Sequence, residues 1–423
     1  MKRILDIIKD TYNKGFFHLF SANTLIHLIE FGSQLFIAWI LIAEDIGRIK
    51  SFQSFAAIAV VIAGLGFNTS VLKLCSEKSR SLLEKQALFS SAVKVVLFVS
   101  VLTIGVILIL SQFGFISNDI ITNKLFVYYS LSVPFVALNN LIIAYYQALK
   151  AFKKVSLLLV IARFLHVAII IGLTYLYGLN GFIVGIIIGF IISSILLFSR
   201  TEFVEGWKNA GIEHYKKNWE LAKYAFLANG INIVTLYLDV FLLNHLVSNP
   251  EEFGYYGFAL TLIAGLRIVT TSVQQFVTPF FSEFSENHVQ SIKAFKRANR
   301  IFILLIIVIA IGAILILPFA VEFLFSGKYN SSIYYFQALT IAWLIRSAIS
   351  LKGPYLLAAG YMNVNFYSVL IVFVSSIIPA WYLVKTYGID GAIYAQFFSA
   401  VALFIIVSFN FQRILKRLTK EHS

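Results

Sequence analysis

The 423-residue chain is 59% hydrophobic and only 13% charged, with a mean hydropathy of +0.85. Soluble domains carry roughly 25% charged residues, so this composition excludes a globular protein with a large core and points to a polytopic membrane protein. The net charge of +14 sits in short clusters between apolar runs, which argues against a nucleic-acid groove, and the single Cys75 leaves neither an intrachain disulfide nor a cysteine-type metal site.

Residues 1–14 alternate charge with Ile and Leu and lack a cleavable signal pattern. They read as an amphipathic cytoplasmic lead-in, with the first span as an uncleaved insertion signal. A span needs about 20 mostly apolar residues. Twelve such runs follow, at 16–43, 51–73, 87–112, 120–149, 155–177, 181–200, 219–246, 253–281, 299–321, 331–358, 363–386 and 389–412. Of the Lys and Arg residues between them, 23 fall on the side of the N-terminus and 5 on the other. That asymmetry predicts both termini in the cytoplasm.

Three landmarks repeat. Tyr177-Gly178-Leu179-Asn180-Gly181 returns 210 residues later as Tyr387-Gly388-Ile389-Asp390-Gly391. Glu44-Asp45-Ile46-Gly47 returns 207 later as Glu251-Glu252-Phe253-Gly254, and Ser76-Glu77 returns 206 later as Ser282-Glu283. A lone YGxxG is a cheap turn, with Gly where positive φ is wanted. Three landmarks near one offset instead predict a duplicated unit. The expected fold is an all-α membrane protein of twelve transmembrane helices. Two six-helix halves, 1–200 and 219–423, are joined by a cytoplasmic linker at 201–218. Six spans is an even number, so the halves run parallel, related by a pseudo-twofold axis along the membrane normal, around a central cavity. The YGxxG copies then join the fifth and sixth spans of each half, as register marks rather than binding sites.

Glu30, Arg163, Asp239, Arg267, Arg346 and Lys352 lie well inside predicted spans. Each costs at least about 2.5 kcal/mol at a helix centre in lipid, so they mark either function or a pair that holds the bundle, such as Glu30–Arg267 or Asp239–Arg346. Polar neighbours extend them into stripes at helical spacing: Asn23, His27, Glu30 and Gln34; Asn229, Asn232, Thr235 and Asp239; Arg267, Thr271, Gln274 and Thr278. Arg163 shares a face with His166, which alone reads as a structural histidine. Lys94 and Lys223 sit near cytoplasmic ends and are accounted for by snorkelling. The basic members suit an anionic substrate, because an Arg fork matches phosphate oxygens. Candidate substrate-binding residues are therefore Arg163, Arg267, Arg346, Lys352, Gln274 and Asn232. Glu30, Asp239 and His27 are the coupling or charge-balancing set: they bind a coupling proton or sodium ion, or only orient the arginines. Pro134, Pro279, Pro318, Pro354 and Pro379 lie in or at the ends of spans, as hinges or static kinks. No catalytic constellation is visible and no cofactor is expected.

These features resemble a known group. The acid–Gly entries to spans two and eight, Tyr237-Leu238-Asp239 ahead of Phe253-Gly254-Tyr255-Tyr256, Tyr146-Gln147-Ala148 closing span four and the YGxxG turns are similar to the polysaccharide-export branch of the multidrug/oligosaccharidyl-lipid/polysaccharide (MOP) exporter superfamily. Within it the chain is most similar to O-antigen and repeat-unit flippases. The resemblance implies an undecaprenyl-pyrophosphate-linked oligosaccharide moved from the cytoplasmic to the outer leaflet of a bacterial inner membrane. Alternating access would move it, with the polyprenyl tail left in lipid. It further implies contact with membrane lipid, a polysaccharide polymerase and a chain-length regulator, and no nucleic acid. Span one carries Glu30 where lipid II flippase relatives have arginines, and two C-terminal spans of those relatives have no counterpart. A multidrug exporter, with acids prevailing in its cavity, and a membrane polymerase, with a sizeable outer loop, are the competing classes.

Overall fold

The computed structural model describes residues 16–199, 207, 209–247, 249–283, 288–359 and 361–420. The lead-in at 1–14 and linker residues 200–206 and 208 lie outside the described residues, as do the side chains of Asn23, Ser282 and Glu283. Thirteen helices are described: α1 (Phe16–Ile40), α2 (Ala43–Gly64), α3 (Phe67–Ser76), α4 (Leu82–Gln112), α5 (Ile120–Ser130), α6 (Val133–Ala148), α7 (Phe152–Phe198), α8 (Ile212–Leu246), α9 (Pro250–Glu283), α10 (His288–Phe325), α11 (Asn330–Ser347), α12 (Lys352–Ala358) and α13 (Met362–Lys420).

The twelve expected spans map onto these helices. Span two is α2 with α3, broken at Leu65 and Gly66, which both have positive φ. Span four is α5 with α6, bent by 45° at a break where Pro134 opens the second segment. Span ten is α11 with α12. Spans five and six are the two arms of α7, and spans eleven and twelve the two arms of α13. Each pair is joined at one non-helical residue, Gly178 (φ 60°, ψ −139°) or Gly388 (φ 57°, ψ −125°). That conformation is open to glycine and strained for any other residue. The second glycine of each motif serves a different need. A Cβ on Gly181 would lie 1.9 Å from the Leu173 carbonyl oxygen, and one on Gly391 would lie 2.0 Å from that of Leu383. YGxxG is thus a hairpin whose arms touch backbone to backbone.

One span boundary differs from expectation. Residues 43–50 belong to α2, so Lys50 is a buried helical residue rather than part of an outer loop. Glu44 and Asp45 occupy the first turn, where acids complement the helix dipole, and Arg48 bonds both at 3.4 and 2.9 Å. With these charges paired along the helix, the locally polar stretch is helical.

In lipid, helices associate through close packing and satisfied polar groups rather than water expulsion. Ser and Thr hydroxyls accordingly donate back to carbonyls three or four residues earlier, as Ser100 does to Val96 and Thr340 to Phe336. Cα proximity divides the chain into two compact units, Met1–Leu41 with Ile49–Val234 and Ile42–Arg48 with Thr235–Ser423. In the first unit α1 packs along α7, and α3 along α6. The start of α8 is fastened there by buried Asn218, which accepts from Ser70 Oγ at 2.8 Å and donates to the Leu88 carbonyl at 2.9 Å and Ser91 Oγ at 3.0 Å. In the second unit α11 packs against α9, α10 and α13.

Candidate functional site

In the first unit, α1 and α7 bring three of the expected residues together. Arg163 forms an ion pair with Glu30, and His27 Nδ1 lies 3.3 Å from the other Glu30 oxygen. The partner expected for Glu30 was Arg267; the side chain that holds it is Arg163. One turn further along α7, His166 is buried beneath Gly189, with its ring edge-on to Phe190 at 4.3 Å. Gln34, the last member of the α1 stripe, accepts from Lys50 Nζ at 3.2 Å, and Gln53 accepts from the same amine at 3.3 Å. Lys50 is therefore a further intramembrane cation that sequence reading had placed in a loop. Its signal was available: Gln53 stands one turn away on the same helix. Asn232 is exposed on α8, and its side chain makes no hydrogen bond among the described residues.

In the second unit the charges belong to a different network. Asp239 is buried; one carboxylate oxygen accepts from Tyr256, itself fully buried, and the other has no hydrogen-bond partner. The positive charge of Arg267 repels that of Arg346, while Asp239 attracts it. The Arg346 guanidinium donates to Ser399 through one terminal nitrogen, and its Nε is buried without a partner. Lys352 Nζ donates to Ser408 at 2.6 Å and lies 5.4 Å from the Phe404 ring centre, a cation–π arrangement.

Arg346 and Gln274 share a cavity of about 570 Å³. Its wall takes Thr271, Gln275 and Thr278 from α9, Ser350 from the break between α11 and α12, and Val369, Leu403 and Val407 from α13. Gln274 Nε2 donates to the Ser350 carbonyl at 2.9 Å, tying α9 to that break. Ser350 Oγ, like Arg346 Nε, is buried without a partner. Both residues line the cavity, while these two donor atoms are themselves shut off from it. Ser350 escaped sequence reading because a serine in an apolar run is ordinarily satisfied by its own helix.

Residues 36–334 match the family described as polysaccharide biosynthesis protein. The chain belongs to that family. No curated protein sequence matches it. Among solved structures, a multidrug resistance MATE family transporter of the MOP superfamily, in an inward-facing conformation, superposes with a TM-score of 0.75 at 12% identity, covering 95% of this chain and 96% of the other. The lipid II flippase MurJ in an inward closed conformation gives a TM-score of 0.75 at 16% identity, covering 95% and 90%. A MOP superfamily transporter from Pyrococcus furiosus, described as having a binding pocket of reverse polarity, gives 0.64 at 12% identity over 96% and 95%. The twelve-helix fold of these transporters is therefore this chain's fold, and this member of the polysaccharide biosynthesis family is a multi-pass membrane protein.

Proposed function

We propose that this polysaccharide biosynthesis protein is a flippase. Its substrate is an undecaprenyl-pyrophosphate-linked oligosaccharide repeat unit, of O-antigen or a similar surface polysaccharide. It moves this from the cytoplasmic to the outer leaflet of a bacterial inner membrane by alternating access. Both termini are cytoplasmic, and the two six-span halves at 1–200 and 219–423, joined by 201–218, are its moving parts. The observation that carries the reading is the 570 Å³ cavity lined by Arg346 together with Thr271, Gln274, Thr278 and Ser350. An arginine lining a cavity in a medium of low dielectric suits the phosphoryl oxygens of a diphosphate, whereas a typical cationic drug would be repelled there. Glu30 and Asp239 balance the charge and offer a place for a coupling proton or sodium ion. The flipped unit would then pass to a polymerase and chain-length regulator on the outer side.

The test is surface polysaccharide in a deletion strain complemented with single variants. Arg346→Ala is expected to reduce display at least tenfold. Arg346→Lys should recover only part of it, because a point charge replaces the fork. Normal display from both Arg346→Ala and Arg267→Ala would refute the assignment. Restored drug resistance without polysaccharide display would favour multidrug export, and altered chain length at normal display would favour a polymerase.

A further inference from the structure

The cavity of the second unit is lined by two unlike sets of residues. Its polar members are Thr271, Gln274 and Thr278 of α9 with Arg346 and Ser350. Its aliphatic members include Leu357 of α12 and Val369, Leu403 and Val407 of α13, with Ile349 beside Ser350. A site for sugar and diphosphate alone has no use for the aliphatic set, since hydroxyls and phosphate oxygens set against branched hydrocarbon lose water without gaining a bond. At about 570 Å³ the space falls among small-molecule sites of roughly 300–1,000 Å³ and exceeds what a diphosphate needs. Lys352 is held by Ser408 and the rings of Phe404 and Phe411 and does not line the cavity, whose one charged lining residue among the described residues is Arg346.

We propose that this cavity takes the junction of a prenyl diphosphate, with the phosphoryl oxygens on Arg346 and the polar side chains beside it and the first branched isoprenoid carbons on Leu357, Val369, Leu403 and Val407. The proposal rests on the flippase reading and goes beyond it: the lipid end nearest the phosphate enters the protein, and only the remainder of the tail stays in the bilayer.

The test is equilibrium binding to the full chain in nanodiscs of zwitterionic lipid, with four probes: farnesyl diphosphate, inorganic pyrophosphate, farnesol and a short-chain phosphatidic acid. Farnesyl diphosphate is expected to bind at least about tenfold more tightly than pyrophosphate, the gain from burying some two methylene equivalents. Val407→Trp, which crowds the aliphatic set, should bring farnesyl diphosphate down to the affinity of pyrophosphate and leave pyrophosphate unchanged. Leu403→Ala, which trims that set without crowding it, should cost farnesyl diphosphate several-fold and pyrophosphate nothing. Arg346→Ala should weaken both. Equal binding of farnesyl diphosphate and pyrophosphate would overturn this inference and leave the flippase reading standing. Phosphatidic acid binding as tightly as farnesyl diphosphate would overturn it in favour of an ordinary membrane lipid. Absence of binding by both diphosphates would overturn both readings.

Discussion

Arg163 and Glu30 neutralise each other inside the membrane, so removing one strands the other. A fully buried pair loses about 3–5 kcal/mol when broken from one side. Both side chains here are 28% exposed, so Arg163→Leu should cost about 1–3 kcal/mol. Arg163→Leu with Glu30→Leu should recover most of that, read as thermal inactivation in detergent; a double variant no more stable than the single would show that the pair does not set the cost. Transport by the stable double variant then separates a structural pair from a coupling one. If coupling uses either acid, Glu30→Gln or Asp239→Asn should change the dependence of vesicle transport on an imposed proton or sodium gradient, and a gradient response unchanged in both would exclude this. The charged residues were legible because a charge in an apolar run is conspicuous. Their partners were not, since Arg163 reaches Glu30 only through the packing of α7 on α1. Lys50 was hidden for the opposite reason: Glu44, Asp45 and Arg48 beside it give its stretch the composition of a loop.

At the scale of elements, glycine decides where helices turn and touch. Gly181→Leu and Gly391→Leu drive a side chain into a carbonyl oxygen about one bond length too close, and each should prevent hairpin closure at a cost of several kcal/mol. Gly178→Ala meets open space and should cost only the backbone strain, about 1–3 kcal/mol. Yield of folded protein by size-exclusion profile orders the three, with Gly178→Ala the mildest; the reverse order would contradict the packing account. The other repeated landmark has a contact of its own within the second unit. A Cβ on Gly254 would lie 1.9 Å from the Ala43 carbonyl oxygen, and one on Gly47 would lie 3.0 Å from the Gly254 amide nitrogen. The two acid–Gly entries, alike in sequence, therefore meet each other. Gly254→Val is expected to abolish transport, whereas Gly32→Val, at a glycine with nothing within 4 Å of its Cβ, should be tolerated. The breaks in spans two and ten escaped sequence reading, because Leu65, Gly66 and residues 348–351 lie within continuous apolar runs.

For the molecule as a whole, the distribution of Lys and Arg makes a topological prediction. Reporter fusions at residue 210 and after residue 420 should report cytoplasm, and fusions at 118 and 328 the outside; any inversion would require the orientation to be redrawn. The MOP fold accommodates relatives described as a multidrug transporter and as a lipid II flippase, so fold alone does not choose a substrate. The flippase proposal rests on one cavity, lined by Arg346 and polar side chains together with aliphatic ones.

The class of the protein, the number of its spans and the place of its two glycine hairpins were determined by sequence alone. Each is a local property: apolar length against bilayer thickness, and a glycine where φ must be positive. Tertiary structure alone decided which charges are paired and which line the cavity. A helix in lipid carries no signal for its rotation about its own axis beyond the neighbours it packs on, and that rotation turns Arg163 toward Glu30 and Arg346 toward Ser399 and the cavity.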